Sequence, residues 1–189
     1  MTAVPQVRSS AYLPFVEFLE RAGEPVERGL EGKLIPAIAY RDAGALVPIH
    51  LAHSYLAQGA RKLGQRDFGI LVGGEMRLAD LGAFRRNLCR SLTLHDALGK
   101  FHASYSLHSS AERIWWEASG DNVLFLHSYL FDTRSGSNYA RHCALLLMRD
   151  LIRMVRGSIG SRSWFSQSRP TTSICFVKRL TIPKYDFQE

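Results

Sequence analysis

No stretch of this chain is long and apolar enough to suggest a membrane span. Within its 189 residues, apolar runs such as Val123–Leu126 and Ala144–Met148 fall far short of the roughly 20 residues that a helix needs to cross a bilayer. The start, MTAVPQVRSSAYLPF, carries no apolar core behind a basic end, so no secretory leader is expected. Cysteine is scarce: Cys89, Cys143 and Cys175 are 3 in number, widely spaced and odd. That excludes a full disulfide framework and suits a reducing compartment, where each serves as a small buried side chain. These absences lead us to expect a cytoplasmic protein. Chemistry-bearing motifs are equally thin. The stretch Gly69-Ile70-Leu71-Val72-Gly73-Gly74 lacks the lysine of a phosphate-binding loop, and no nucleophile elbow presents a serine. Zinc-finger spacing, a helix-turn-helix pair and an RNA-recognition signature are missing as well. The expectation is that the protein is not an enzyme.

What is present suffices for one sizeable core. A hydrophobic fraction of 46% at this length predicts a single domain over 12–189, preceded by a flexible, aromatic-poor N-terminus at 1–11. The formal charge of +7 and the sequence pI of about 9.6 leave nucleic acid open as a partner, since basic surface attracts phosphate without sequence preference. The arginines are spread, however. Arg85, Arg86 and Arg90, then Arg149, Arg153 and Arg156, fall at helical spacings that make ordinary solvated faces.

Along the chain the apolar period is first helical. Leu13, Phe15, Val16, Phe18 and Leu19 crowd one face of a helix that Gly23 and Pro25 stop. Leu34–Tyr40 reads either as a short helix or as an extended run, because Pro36 disfavours both. Val47-Pro48 opens a longer helix buried through Ile49, Leu51, Ala52, Tyr55, Leu56 and Ala60, with Gly64 as its stop. Asp67 caps a short helix through Leu71 that Gly73-Gly74 ends, the glycines serving as turns. Asp80 caps a helix bearing Phe84, Leu88 and Cys89. Thr93 caps one bearing Leu94, Ala97, Leu98, Phe101 and Tyr105.

After His108 the period becomes 2. Glu112–Ala118 and Asn122–Phe131 flank a Ser-Gly-Asp turn and predict an antiparallel hairpin, with Val123, Phe125, His127, Tyr129 and Phe131 on one face. A long helix follows from Ser137 to about Val155, with Ala140, Cys143, Ala144, Leu147, Leu151 and Met154 inward and Gly157 beyond it. A serine-rich stretch to Arg169 reads as a mobile loop, and Ser173–Ile182 as a third strand. The predicted fold class is α+β: a small antiparallel sheet, made of the hairpin and the C-terminal strand, packed against a helical layer.

Candidate chemistry is sparse. Of the 7 histidines, His50 and His53 lie three apart on one helix, but a zinc site needs further ligands from elsewhere, so no metal is assigned. Glu112, Glu117 and Asp150 sit among basic neighbours and read as salt-linked surface carboxylates. The aromatic residues of the hairpin, facing the helix of Phe101 and Tyr105, outline a mostly apolar space with a few polar tips, the character of a small-molecule pocket. A filled aromatic core would have the same residues. The ligand-binding candidates are Phe101, Tyr105, Trp116, Phe125, His127, Tyr129 and Arg141, the last as partner for an acidic group.

Four segments in order carry a family resemblance: Val47-Pro48 with its helix to Lys62-Leu63-Gly64, Asp67-Phe68-Gly69-Ile70-Leu71-Val72-Gly73, Asp80-Leu81-Gly82, and Ser91-Leu92-Thr93-Leu94-His95-Asp96-Ala97-Leu98. With them the chain resembles the N-terminal regulatory domain, of the arabinose-binding type but not the cupin barrel, found in a subset of AraC-family transcriptional regulators. The likeness extends from Leu19–Val26 to the long helix and Trp164. It implies a domain that senses a small effector or mediates self-association as a homodimer, while DNA is read by a separate C-terminal helix-turn-helix domain that this chain lacks. It carries over no invariant ligand residue and implies no cofactor. Two alternatives stay open: a sensor holding haem or another prosthetic group through a histidine such as His102, and a structural dimerisation module without ligand.

Overall fold

A computed structural model describes residues 4–76, 91, 94–110, 112–119, 122–130, 136–156, 166–167 and 174–178. At 94–95, 118–119, 122–125, 152–156, 166–167 and 174–178 the backbone alone is described. The Asp80-capped helix, the Thr93 cap, the Gly120-Asp121 turn, Phe131, Gly157 and Trp164 lie outside the described residues. The chain divides into two compact units, one from Met1–Asp80, His108–Ala111 and Thr133–Asp150, the other from Leu81–Leu107, Glu112–Asp132 and Leu151–Glu189. No single cut in the sequence separates them. No helix of the described residues is long and apolar enough to cross a membrane.

The first unit holds strands β1 (Gln6–Arg8) and β2 (Leu46–Pro48) and helices α1 (Leu13–Arg21), α2 (Val26–Glu31), α3 (Ile38–Arg41), α4 (Ile49–Lys62) and α5 (Phe68–Glu75). Phe15, Val16 and Leu19 are buried on α1, and Ile49, Ala52, Tyr55, Leu56 and Ala60 on α4, as the 3.6-residue period predicts. Gly23 and Gly64 end those helices in left-handed conformations, with φ of 84° and 63°. Phe68 of α5 joins this core edge-on to Phe15 at 5.3 Å and to Phe18 at 5.7 Å.

Three expectations change here. Gln6–Arg8 is not loose. It pairs antiparallel with Leu46–Pro48, placing Val7 opposite Val47 with both buried, and Pro48 ends a strand before α4 begins. Beyond Gly23 lies α2, a helix that the apolar spacing does not suggest, held by buried Val26 and Leu30. The glycines of α5 are not turns either. Gly69 and Gly73 lie inside a helix that continues to Glu75, and Asp67 stands at its N-cap without a side-chain capping bond. A Cβ on Gly69 would lie 2.6 Å from Tyr139 Cα, and one on Gly73 would lie 3.0 Å from Cys143 Cα. Glycine permits this close backbone approach to α7 (Ser137–Arg156), whose stretch to Asp150 belongs to the same unit.

The second unit contains α6 (Leu94–Tyr105) and a four-stranded antiparallel sheet in the order β3-β4-β6-β5: β3 (Glu112–Ser119), β4 (Asn122–Tyr129), β6 (Ile174–Lys178) and β5 (Ser166–Gln167). The α+β class and the sheet of hairpin plus C-terminal strand are as expected from sequence. Its fourth strand, β5, comes from the stretch read as a mobile loop. Pairing of Ser119 with Asn122 leaves two residues in the hairpin loop and fixes Glu112 opposite Tyr129, Ile114 opposite His127 and Trp116 opposite Phe125.

Candidate functional site: a buried carboxylate beneath the hairpin

The register decides what the inner face of the hairpin contains. Opposite residues of an antiparallel pair share a face, so Glu112, Ile114 and Trp116 are grouped with Tyr129, His127 and the Phe125 position. Ile114 and Tyr129 are buried, and α6 packs over β3: the His102 ring meets Trp116 edge-on at 5.7 Å, and Phe101 and Tyr105 stack tilted at 5.5 Å.

At the centre is Glu112. Its Oε2 accepts a hydrogen bond from Tyr105 Oη at 2.5 Å and lies 2.8 Å from His127 Nε2. The glutamate and histidine side chains are 9% and 3% exposed. In that dry setting a carboxylate holds its charge only if hydrogen-bonded, and an ionised carboxylate is purely an acceptor. His127 Nε2 is therefore assigned the proton and donates a hydrogen bond to Glu112 Oε2. In a neutral ring, that tautomer leaves the Nδ1 lone pair as an acceptor, and Nδ1 is buried with no hydrogen-bond partner among the described residues. The Tyr129 ring stands perpendicular to the imidazole at 5.0 Å and fixes its plane. The arrangement can orient one acceptor atom beside aromatic walls. It is also how a carboxylate sets the tautomer and basicity of a histidine that does work through its other nitrogen.

Of the predicted ligand residues, Phe101, Tyr105, Trp116, His127 and Tyr129 fall in the second unit around this cluster. Phe125 takes the register position between Trp116 and Phe176, with only its backbone described. Arg141 lies on α7 in the first unit, next to His142. Burial lowers the His142 pKa, Asp67 partly offsets this, and the Arg141 charge lowers it further. Burial, then the charge of Arg8, lowers that of His108. Burial also pushes the Cys143 thiol up to about 12, away from nucleophilic chemistry.

Sequence reasoning missed Glu112, which reads locally as a surface carboxylate beside Arg113. The available signal was the two-residue turn: counting back from Ser119 and Asn122 puts Glu112 across from Tyr129, on the aromatic face. Asp150 is salt-linked as expected, accepting from Arg149 Nε at 2.9 Å, whereas exposed Glu117 accepts from the neutral Trp115 Nε1 at 3.0 Å.

Elsewhere, the first unit carries a shallow depression of about 220 Å³, open to solvent, beside Leu19, Tyr55 and Gly59. The Lys62–Glu24 ion pair closes at 2.8 Å among its lining residues. None of the predicted ligand residues lines it. Among the described residues, no group of three or more His, Cys, Asp or Glu comes together to hold a metal ion. No protein-family model matches this chain, and no curated protein matches it.

Proposed function

We propose that the chain is an effector-sensing and self-associating regulatory domain of an AraC-type transcriptional regulator, non-enzymatic and cytoplasmic, which reaches DNA through a separate C-terminal helix-turn-helix domain. The effector is a small molecule held between the 112–131 hairpin and α6. The observation that carries the reading is the Glu112–His127 pair with His127 Nδ1 left as a buried acceptor. A ligand with one N–H or O–H donor on an apolar or aromatic body matches that atom and the Phe101, Trp116 and Tyr129 walls. By bonding to His127, it would favour one packing of α6 on β3 over another, and only such a difference in affinity between two states can transmit a signal.

The haem reading draws no comparable support. Nε2 of His127 is engaged by Glu112, and His102 is an exposed residue whose ring rests on Trp116. A structural role without a ligand is favoured by one observation: Tyr105, Glu112 and His127 already satisfy much of one another's bonding.

A thermal-shift screen of amino acids, aromatic acids, fatty acids and sugars tests the reading. A ligand at 100 times its dissociation constant should add about 2.7 kcal/mol of stability, and the shift should vanish in His127→Phe, which keeps a ring but removes Nδ1. If no compound class stabilises the wild-type chain, effector binding at this site is wrong.

A further inference from the structure

The two edges of the four-stranded sheet are unequal. One is β5, two residues long; the other is β3, eight residues long, with no strand beyond it among the described residues. A short edge is already protected against pairing with another chain, whereas a long edge presents a row of backbone donors and acceptors. Proteins usually blunt such an edge with charges, and β3 has two on its outer face, Arg113 and Glu117, both exposed. They carry opposite signs and stand two residues to either side of Trp115.

That spacing has a two-fold symmetry of its own. If two β3 strands meet antiparallel about an axis at Trp115, Arg113 of each copy falls opposite Glu117 of the other, and Trp115 falls opposite Trp115. On the other face, Ile114 falls opposite Trp116. Shifting the axis to Trp116 sets Arg113 against Ser119 and Glu117 against Trp115; shifting it to Ile114 sets Arg113 against Trp115. Only the Trp115 register pairs the charges, and slips by odd numbers put the two inner faces on opposite sides. Glu117 is already oriented on its face by the Trp115 Nε1 bond at 3.0 Å, and a carboxylate has further lone pairs for an arginine.

We propose that β3 is an interaction surface for a second copy of this chain, joined edge to edge about Trp115 so that two four-stranded sheets become one of eight strands. The interface is isologous and closes as a dimer, because each copy offers the same self-complementary strand. It locates the self-association of the proposed function and rests on that part of the reading; it needs no effector, so it stands or falls separately from the ligand reading.

Sedimentation velocity over a concentration series, on the 189-residue chain without ligand, gives the test. Wild type should show a monomer–dimer equilibrium. Arg113→Glu sets like charges opposite each other at both symmetry-related positions and should weaken the dimer about tenfold, as should Glu117→Arg. The double exchange Arg113→Glu with Glu117→Arg restores opposite charges and should return the dimer to within about threefold of wild type. A monomeric wild type, single variants that dimerise unchanged, or a double variant as weak as the singles overturns the proposal. Amide exchange in the wild-type chain reads the same contact without substitution. Protection of the alternate amides of Glu112–Ala118 that point away from β4 should rise with protein concentration, and protection there that does not rise refutes the pairing.

Discussion

The two units bury their interiors by different means. In the first, glycines let neighbouring segments approach closely: Gly59 sits under the Leu19 side chain, Gly69 and Gly73 lie against the α7 backbone, and Gly136, just ahead of α7, reaches the backbone of α4 at His53. The cohesion there is dispersion between closely fitted surfaces, which has no direction but is lost steeply when surfaces are forced apart. In the second unit, α6 meets β3 through ring edges and a carboxylate that takes two hydrogen bonds. Those bonds are directional, and their main energetic consequence appears when one partner is removed. One region should therefore be intolerant of added volume and the other of lost polarity.

The largest effect is expected where volume is added at the glycines. Gly136 adopts φ of 80°, and a Cβ there would also sit 2.7 Å from the His53 carbonyl carbon. Gly136→Ala combines a left-handed alanine with a backbone collision, and should cost roughly 3–5 kcal/mol. Gly69→Ala, whose Cβ would meet the Tyr139 backbone, should cost about 3 kcal/mol. Urea denaturation would measure both. A loss below 1 kcal/mol at either position would mean that the helices can separate freely and that the close approach is not what holds them.

Those glycines also mark the limit of legibility. Leu13–Arg21, Ile49–Lys62 and Ser137–Arg156 could be read from apolar spacing with glycine or proline punctuation, and β3 and β4 from alternation across a turn. Gly69 and Gly73 could not, because locally a glycine that admits a neighbouring helix looks the same as one that ends its own. Strands β1 and β2 escaped for a different reason: three residues hold too little alternation, and the pairing of Val7 with Val47 spans 40 positions by residue number. For the site, the aromatic residues were foreseeable from period 2. The role of Glu112 depends on register, which its immediate neighbours do not encode.

In the second unit the corresponding break is chemical. Glu112→Ala removes the acceptor of Tyr105 Oη and His127 Nε2 together, stranding two donors in a space where the carboxylate was 9% exposed. With roughly 1–3 kcal/mol for a stranded buried group, the loss should be about 2–4 kcal/mol. Tyr105→Phe and His127→Phe should each cost less alone. Combined with Glu112→Ala, each should add little, because the bond is already gone; the double-mutant cycle then shows coupling of about 1 kcal/mol or more. Strict additivity would dissolve the cluster as an energetic unit and, with it, the contrast between the two regions.

The smallest effect sharpens the contrast most, because it uses the same substitution with the opposite sign. Gly99 lies in the middle of α6, and a Cβ there meets nothing within 4 Å. Alanine at this position adds no volume to a packed contact. It also removes the backbone freedom that glycine loses when a helix forms, so Gly99→Ala should stabilise the chain by about 0.5–1 kcal/mol. Measured beside Gly69→Ala in the same denaturation series, it should move the midpoint up where the other moves it down. If both moved it down, α6 would be packed as tightly at Gly99 as α5 is at Gly69, and polar direction could no longer be what distinguishes the second unit.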